Sequence, residues 1–473
     1  MNPFDESSHA FIVWLSKCGA EISQKIKLQD LRNIQAGRGV VAVQNIEQDE
    51  LLFRIPRTAI LSVENSILSN EIPKATFEHL GPWLSLIFVM LYEYNNRHVS
   101  NWAPYFNVLP TEFNTLMFWE ADELEELQGS AVRAKIGKEE ADNMFKNQLV
   151  PVIREFAEMF FSGDSRARER AEAMMENHNI DLMHKMGSLI MAYAFDLEPM
   201  NVQKDVDEEG YASEDEDEAL PKGMVPLADM LNADADRNNA CLFYEAEFLS
   251  MKAIKPIVAG DEIFNDYGPL PRSDLLRRYG YITENYAQYD VVEIPFTRIA
   301  QAASKGGITL YEDKIEYLDE HGLIETGYDI CASNPFSIEE SMSPELITIV
   351  ETLLLDEDEF ERLKRKGKLP KPDQISTRGI EVLHNFVISQ RQEYGTTLEQ
   401  DMRDVPVSPT SEMTLKDRRC GMAKLVRMGE KKILQDAEKA LFALLQEKNR
   451  TNRVAKRRAE DEHYDLGKRQ RGR

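Results

Sequence analysis

Apolar positions along the chain repeat at two different periods, and the switch between them divides it. Phe11 to Cys18 follows the i, i+3, i+4 spacing of an amphipathic helix. Val40 to Val43 and Leu51 to Ile55 are short β-rich runs separated by turn residues, which predicts two strands. Helical spacing returns over Trp83 to Tyr94, Met144 to Phe161 and Asp181 to Phe195. Cys241 to Tyr244, Phe248 to Ala253 and Glu262 to Phe264 then read as strands again. The middle helices therefore interrupt one β-rich unit. A faint echo joins its two halves: Ala42-Val43-x-x-Ile46 before Asp49-Glu50, and Ala253-Ile254-x-x-Ile257 before Asp261-Glu262, each a strand, a tight turn and a second strand. Beyond about residue 300 the period is helical, through Leu346, Val350, Leu353 and Leu354, through Ile380, Leu383, Phe386 and Val387, and along a stripe from Met422 to Leu444. The expectation is an α+β chain. A unit of short strands fills 1–295 with a helical insertion at about 65–225, and an all-helical domain fills 300–447.

Length and charge narrow the function classes. A chain of 473 residues has room for two or three domains and a large core. It contains no run of about 18 apolar residues, and Met1 to Ser8 lacks a basic segment followed by an apolar one, so neither a membrane span nor a secreted protein is expected. Cys18, Cys241, Cys331 and Cys420 stand singly with no CxxC and no neighbouring His at ligand spacing, which supports neither a metal site nor a disulfide framework. The formal charge is −26, yet residues 448–473 form a basic tail of net +6, leaving −32 on the rest. Such a body attracts basic polypeptides and repels nucleic acid, so the expected partner is a basic protein, with no direct nucleic-acid function; no membrane partner is expected either, and the chain is read as a monomer. The acidic segment 204–220, containing SEDEDE at Ser213 to Glu218, reads as a disordered insertion. In the tail, Lys456, Arg457 and Arg458 precede Lys468, Arg469, Arg471 and Arg473, a pattern similar to a two-cluster nuclear import signal; a nuclear, and secondly cytoplasmic, location is expected.

The chemistry concentrates in two places. Gly37-Arg38-Gly39 invites a dinucleotide reading, but Val40, Val41 and Val43 make strand rather than helix after it, and no third glycine follows. What the pair allows is close approach of a ligand to the backbone at a strand entrance. The second place is Pro226-Leu227-Ala228-Asp229-Met230-Leu231-Asn232 before the late hairpin, Asn265-Asp266-Tyr267-Gly268 after it, and Tyr279-Gly280-Tyr281 twelve residues beyond Tyr267.

The order of these motifs resembles the SET-domain protein-lysine methyltransferases, in the class typified by plant Rubisco large-subunit methyltransferase. Ala36-Gly37-Arg38-Gly39-Val40-Val41-Ala42, Asp229-Met230-Leu231-Asn232 and Asp266-Tyr267-Gly268 are similar to its three SET motifs. Ser100-Asn101-Trp102-x-Pro104-Tyr105, Leu109-Pro110 and Phe118-Trp119 resemble its helical insertion, and Tyr394-x-Thr396-Thr397-Leu398-Glu399-x-Asp401 its helical substrate-binding domain. Within the class, the fungal ribosomal lysine methyltransferases and their animal counterparts acting on a transcription factor are the nearest likeness. Where the family usually has His, this chain has Ala233.

The resemblance implies S-adenosyl-L-methionine as cofactor. Main chain at Ala36, Gly37, Arg38 and Gly39 would meet its amino-acid end, with Asn232 and Ala233 beside it, and Asp229 would either contact it or brace the turn. Tyr267 would be the catalytic phenol and would also face the cofactor. Tyr279 would line the lysine channel, Tyr281 the channel or the adenine wall, and Tyr193 would fall between cofactor and substrate. A hydroxyl at Tyr281, where the family often has Phe, would crowd added methyl groups and favour monomethylation. The expected substrate is a lysine of a large-subunit (60S) ribosomal protein. Histone, a transcription factor, or a non-catalytic adaptor role for basic proteins are the alternatives that charge alone leaves open.

Overall fold

The computed structural model describes residues 2–34, 36–197, 220–305, 312–404 and 413–471, so most of the acidic insertion lies outside the described residues. The chain forms two compact units. The first holds Met1–Trp119, Ile136–Pro269 and Leu276–Tyr281; the second holds Glu120–Lys135, Leu270–Leu275 and Ile282–Arg473.

In the first unit the opening helix runs Pro3–Lys17, earlier than its apolar spacing predicts, because the Asn2 side chain accepts from the Asp5 N–H and Pro3 fits the first turn. Phe11 and Leu15 are its buried stripe. Among the described residues of this unit ten strands follow: β1 (Glu21–Ile22), β2 (Ile26–Asp30), β3 (Arg38–Ala42), β4 (Leu51–Pro56), β5 (Leu61–Ser62), β6 (Ala194–Asp196), β7 (Lys222–Met224), β8 (Ala240–Tyr244), β9 (Phe248–Ala253) and β10 (Glu262–Ile263). They build three small antiparallel sheets in the orders β1-β4-β9-β8, β10-β3-β2 and β5-β7-β6.

The two echoed segments turn out to pair with each other. Ile46 and Ile257 exchange both main-chain hydrogen bonds, at 2.9 and 3.0 Å. Ala42 accepts from Gly260 (2.8 Å), and Ala253 accepts from Asp49 (2.8 Å). The repeat in sequence is thus a reciprocal clasp between the two halves of the β-rich unit.

Three helical expectations need adjustment. Lys74–Asn95 carries the predicted Trp83–Tyr94 segment but is kinked at Gly81 (φ 70°), just before Pro82, whose ring cannot follow an unbroken helix. Met144 to Phe161 is not one helix: a wide turn at Phe145–Leu149 precedes Pro151, and Phe156 (φ −105°, ψ 26°) breaks the chain again. Asn177–Tyr193 stops two residues before Phe195, where Ala194 becomes extended and enters β6. One continuous buried cluster, from Phe11 through Leu86, Phe88 and Met90 to Ile263, ties these helices to the sheets.

The second unit is mainly helical. Leu346, Val350, Leu353 and Leu354 of Pro344–Leu354, and Ile380, Leu383, Phe386 and Val387 of Thr377–Gln392, are buried as their spacing predicts. The last helix, Leu415–Arg471, continues through the segment expected as a separate basic tail. The unit is not all-helical: β11 (Val291–Pro295) and β12 (Gly327–Cys331) pair antiparallel, and Val292, Ile294, Tyr328 and Ile330 belong to its core. Their alternation spans only five residues each, too short to stand out beside long helical stripes.

Candidate active site

The glycine pair sits where β3 begins. Gly37 adopts φ +63°, strained for any residue with a Cβ, and no heavy atom lies within 4 Å of where that Cβ would stand. Gly39 is the opposite case. A Cβ there would lie 2.5 Å from the Leu31 side chain, 2.7 Å from a Glu262 carboxylate oxygen and 3.1 Å from the Asn232 amide nitrogen.

Asn232 closes this corner. Its amide nitrogen donates to the Ala36 carbonyl (3.1 Å) and to Glu262 Oε1 (2.7 Å), while its own carbonyl accepts from the Asn265 N–H (2.9 Å). Ala233 forms a parallel bridge with Asn265, so main-chain pairing holds this position without an imidazole. The Asn232 side-chain N–H groups are therefore spent inside the protein. Arg38 turns its guanidinium away from the loop: it lies 4.0 Å over the Phe4 ring and donates to the Val108 carbonyl and the Ser8 hydroxyl. What Ala36, Gly37, Arg38, Asn232 and Ala233 offer a ligand is a main-chain cradle beside open space.

The tyrosines converge on the same backbone. Tyr267 follows β10 in a turn closed by the Gly268 N–H donating to Asp266 Oδ1 (2.8 Å). Its ring stacks on Tyr279 with centroids 4.2 Å apart and planes 9° from parallel, and Tyr281 meets Tyr279 edge-on at 6.4 Å. The helix Arg272–Tyr279 ends at Gly280 (φ +74°), where a Cβ would stand 2.8 Å from the main chain of Asn114 and Thr115. Only glycine lets the chain reverse there, and that reversal puts Tyr279 and Tyr281 together. The Tyr267 hydroxyl is 3.5 Å from the Leu231 carbonyl, one residue before Asn232.

Burial pushes the Tyr267 phenol well above its ordinary pKa, and the neighbouring Tyr193, Tyr279, Tyr281 and Asp229 reinforce the shift. Tyr193, the last helical residue before β6, is pushed up to about 12, mainly by burial and then by Asp229 and Tyr279. Both stay protonated at neutral pH, so they can donate hydrogen bonds but cannot act as bases. Asp229 is raised to about 7 by burial, against the opposing pull of the Tyr105 hydroxyl, main-chain N–H groups and Arg38. Its Oδ2 accepts from Tyr105. Of the two roles left open by the sequence, this contact accounts for one carboxylate oxygen and is compatible with the brace.

Every anticipated site residue thus lies in the first unit, gathered around the 229–233 and 265–268 segments. Tyr105 and Glu262 were missed. Tyr105 stood within a motif already noted, and Glu262 within a predicted strand, but neither position reveals its partner without the fold.

This arrangement, a glycine-opened strand beside two paired segments, one of which carries a phenol, is that of a SET domain. A family model for the SET domain matches residues 37–268, and one for the Rubisco LSMT substrate-binding domain matches 307–434. The chain belongs to the SET-domain lysine methyltransferases that carry a Rubisco LSMT-type substrate-binding domain, a family whose cofactor is S-adenosylmethionine. It is 37% identical over 328 residues to ribosomal lysine N-methyltransferase 4 of Saccharomyces cerevisiae, covering 67% of this chain and 63% of that protein's length. It is 28% identical to N-lysine methyltransferase SETD6 of Mus musculus over 91% of this chain and 90% of that one. Among solved structures, the SET domain of LSMT bound to lysine and AdoHcy superposes with a TM-score of 0.66 at 19% identity, covering 93% of this chain and 91% of that one. A structure of Rubisco LSMT bound to AdoMet gives 0.64, also at 19% identity, with 93% and 92% covered. Both likenesses are of fold.

The residues present suit that cofactor. The open space at Gly37 and the main-chain cradle at 36–37 and 232–233 can take its amino-acid end, and a protonated phenol stands on the same backbone.

Proposed function

We propose that the chain monomethylates a lysine of a basic protein, that this protein belongs to the large ribosomal subunit, and that the work is done in the nucleus. The observation that carries the chemistry is the stacked Tyr267–Tyr279 pair, with the Tyr267 hydroxyl on the Leu231 carbonyl beside the Asn232 cradle. The −32 charge outside the tail and the printed name of the yeast relative support the substrate; the two basic clusters of the tail support the location.

When bound, the cofactor supplies a methyl group on a sulfonium, open to in-line attack. The incoming lysine must be neutral, although its ordinary pKa is about 10.4. Tyr193, Tyr267, Tyr279 and Tyr281 would surround its nitrogen with buried rings, and such desolvation disfavours the ammonium. The proton leaves to solvent before transfer, since none of these phenols is a base. The Tyr267 hydroxyl would hold the nitrogen lone pair in line with the methyl group that the cofactor supplies, the thioether being the leaving group. Alignment of this kind is worth up to several kcal/mol. Ring faces of Tyr279 and Tyr281 also stabilise the cationic product by about 1 kcal/mol.

The test uses tritiated S-adenosylmethionine and salt-washed 60S subunits from cells lacking the gene. One large-subunit protein should be labelled, and Tyr267→Phe should abolish at least ~99% of turnover while cofactor affinity stays within about twofold. Label confined to added histones would remove the ribosomal assignment. Equal loss of binding and turnover in Tyr267→Phe would displace the tyrosine from its role.

A further inference from the structure

Asp229 and Tyr105 are built in at a cost that packing alone does not explain. Asp229 is only 9% exposed, and no side chain among the described residues hydrogen-bonds its Oδ1, which main-chain N–H groups alone approach. The residue two before it, Leu227, is fully buried yet held at φ +78°, ψ −37°, a conformation rare and strained for a side chain branched or bulky. That strained corner starts the short turn Ala228–Met230 that presents the carboxylate. Tyr105, with no exposed surface, is fixed from the other side: its ring stacks on Phe11 (6.0 Å) and Trp14 (6.3 Å, 8° from parallel), which leaves its hydroxyl on Asp229 Oδ2.

The charged and titratable groups that act on this carboxylate are Tyr105 and Arg38, and it acts in turn on Tyr193 and Tyr267. Arg38 is committed elsewhere, to Phe4, Val108 and Ser8. An ionised Asp229 would therefore be a fixed negative charge beside the tyrosine cluster, with no cation paired to it among the described residues. Methyl transfer to a neutral lysine carries one positive charge through that cluster, from the sulfonium donor to the methylated ammonium product.

We propose that Tyr105 is a positioning residue for methyl transfer: its hydroxyl fixes Asp229 and favours the ionised carboxylate, whose charge offsets the single positive charge that passes from donor to product. Transfer is then supported only where Asp229 is ionised, and Tyr105 sets how low in pH that extends. The inference rests on the methyltransferase reading for its kinetic arm alone.

Two measurements test it. In the pH profile of kcat/KM with salt-washed 60S subunits, the acid limb should move upward by about one pH unit in Tyr105→Phe, because a hydrogen bond to the charged form is lost. In Asp229→Asn that limb should disappear and the residual rate should fall at least tenfold. A Tyr105→Phe protein that loses the same fraction of rate at every pH, or only melting temperature, would show a purely structural contact and overturn the proposal. The second measurement needs neither substrate nor variant: carbon-13 NMR of the carboxyls in the wild-type protein should reveal one aspartate, assigned to position 229, titrating near neutrality. An Asp229 that titrates below pH 5 overturns the proposal even if methylation is robust, whereas a near-neutral Asp229 without methylation of any acceptor retains the pair and removes the enzymatic reading.

Discussion

At the scale of single residues, the glycines divide by what surrounds them. Gly39→Ala would drive a methyl group against Leu31, Glu262 and the Asn232 amide. It should cost about 1–3 kcal/mol of stability and weaken S-adenosylmethionine binding at least ~10-fold, read by calorimetric titration. Tyr281 offers a product-level test. Tyr281→Phe removes a hydroxyl from beside Tyr279 and should let dimethyl-lysine accumulate where the parent stops at one methyl, as mass spectrometry of the product would register; unchanged monomethylation would remove Tyr281 from the channel. The positions of Tyr267, Tyr279 and Asn232 were legible because their spacing follows a family pattern. Their partners were not. Nothing along the chain links Tyr105 to Asp229, or Asn232 to Glu262, because each pair is made by folding and joins segments far apart in sequence.

At the scale of elements, long amphipathic helices were legible and their interruptions were not. The stripe on Leu415–Arg471 contains Ala423, Val426, Ile433, Leu434, Ala437 and Leu441 in the core, but Arg427, Glu430 and Lys431 are buried among them. Hydrophobic periodicity passes over such positions, since a buried charge looks like a gap in the stripe. Asp401 accounts for two of them, accepting from Arg427 (2.9 Å) and from Lys431. Glu430 accepts from the Ser130 hydroxyl (2.6 Å) and the Tyr394 hydroxyl (2.8 Å), and burial raises its pKa to about 7. Its unfolded value is near 4.5, so between about pH 4.5 and 7 the unfolded chain sheds a proton that the folded one keeps. Stability from this group is complete below that window and lost as pH rises through it, up to about 3 kcal/mol. In thermal melts across that range, Glu430→Gln should flatten the decline; an identical slope would mean that Glu430 is ionised in the folded protein.

At the scale of the whole molecule, charge is the property most directly readable from composition. If the acidic surface draws in a basic substrate, raising salt from 50 to 500 mM should increase KM several-fold while kcat changes little. A salt-independent KM would assign recognition to apolar contacts instead. Deleting residues 448–473 should leave methylation in extracts intact and release a fluorescent fusion from the nucleus; continued nuclear accumulation would put the import determinant elsewhere. The architecture as a whole was legible through motif order, while β11, β12 and the reciprocal pairing of the echoed segments emerged only in three dimensions. That pairing has a consequence for biosynthesis. Ile46 must wait for Ile257, and the loop at Gly37 must wait for Asn232, so about 200 residues are translated before the early strands find their complements. A nascent chain arrested before the late hairpin emerges would hold its first strands with their edges unsatisfied, a natural client for chaperones.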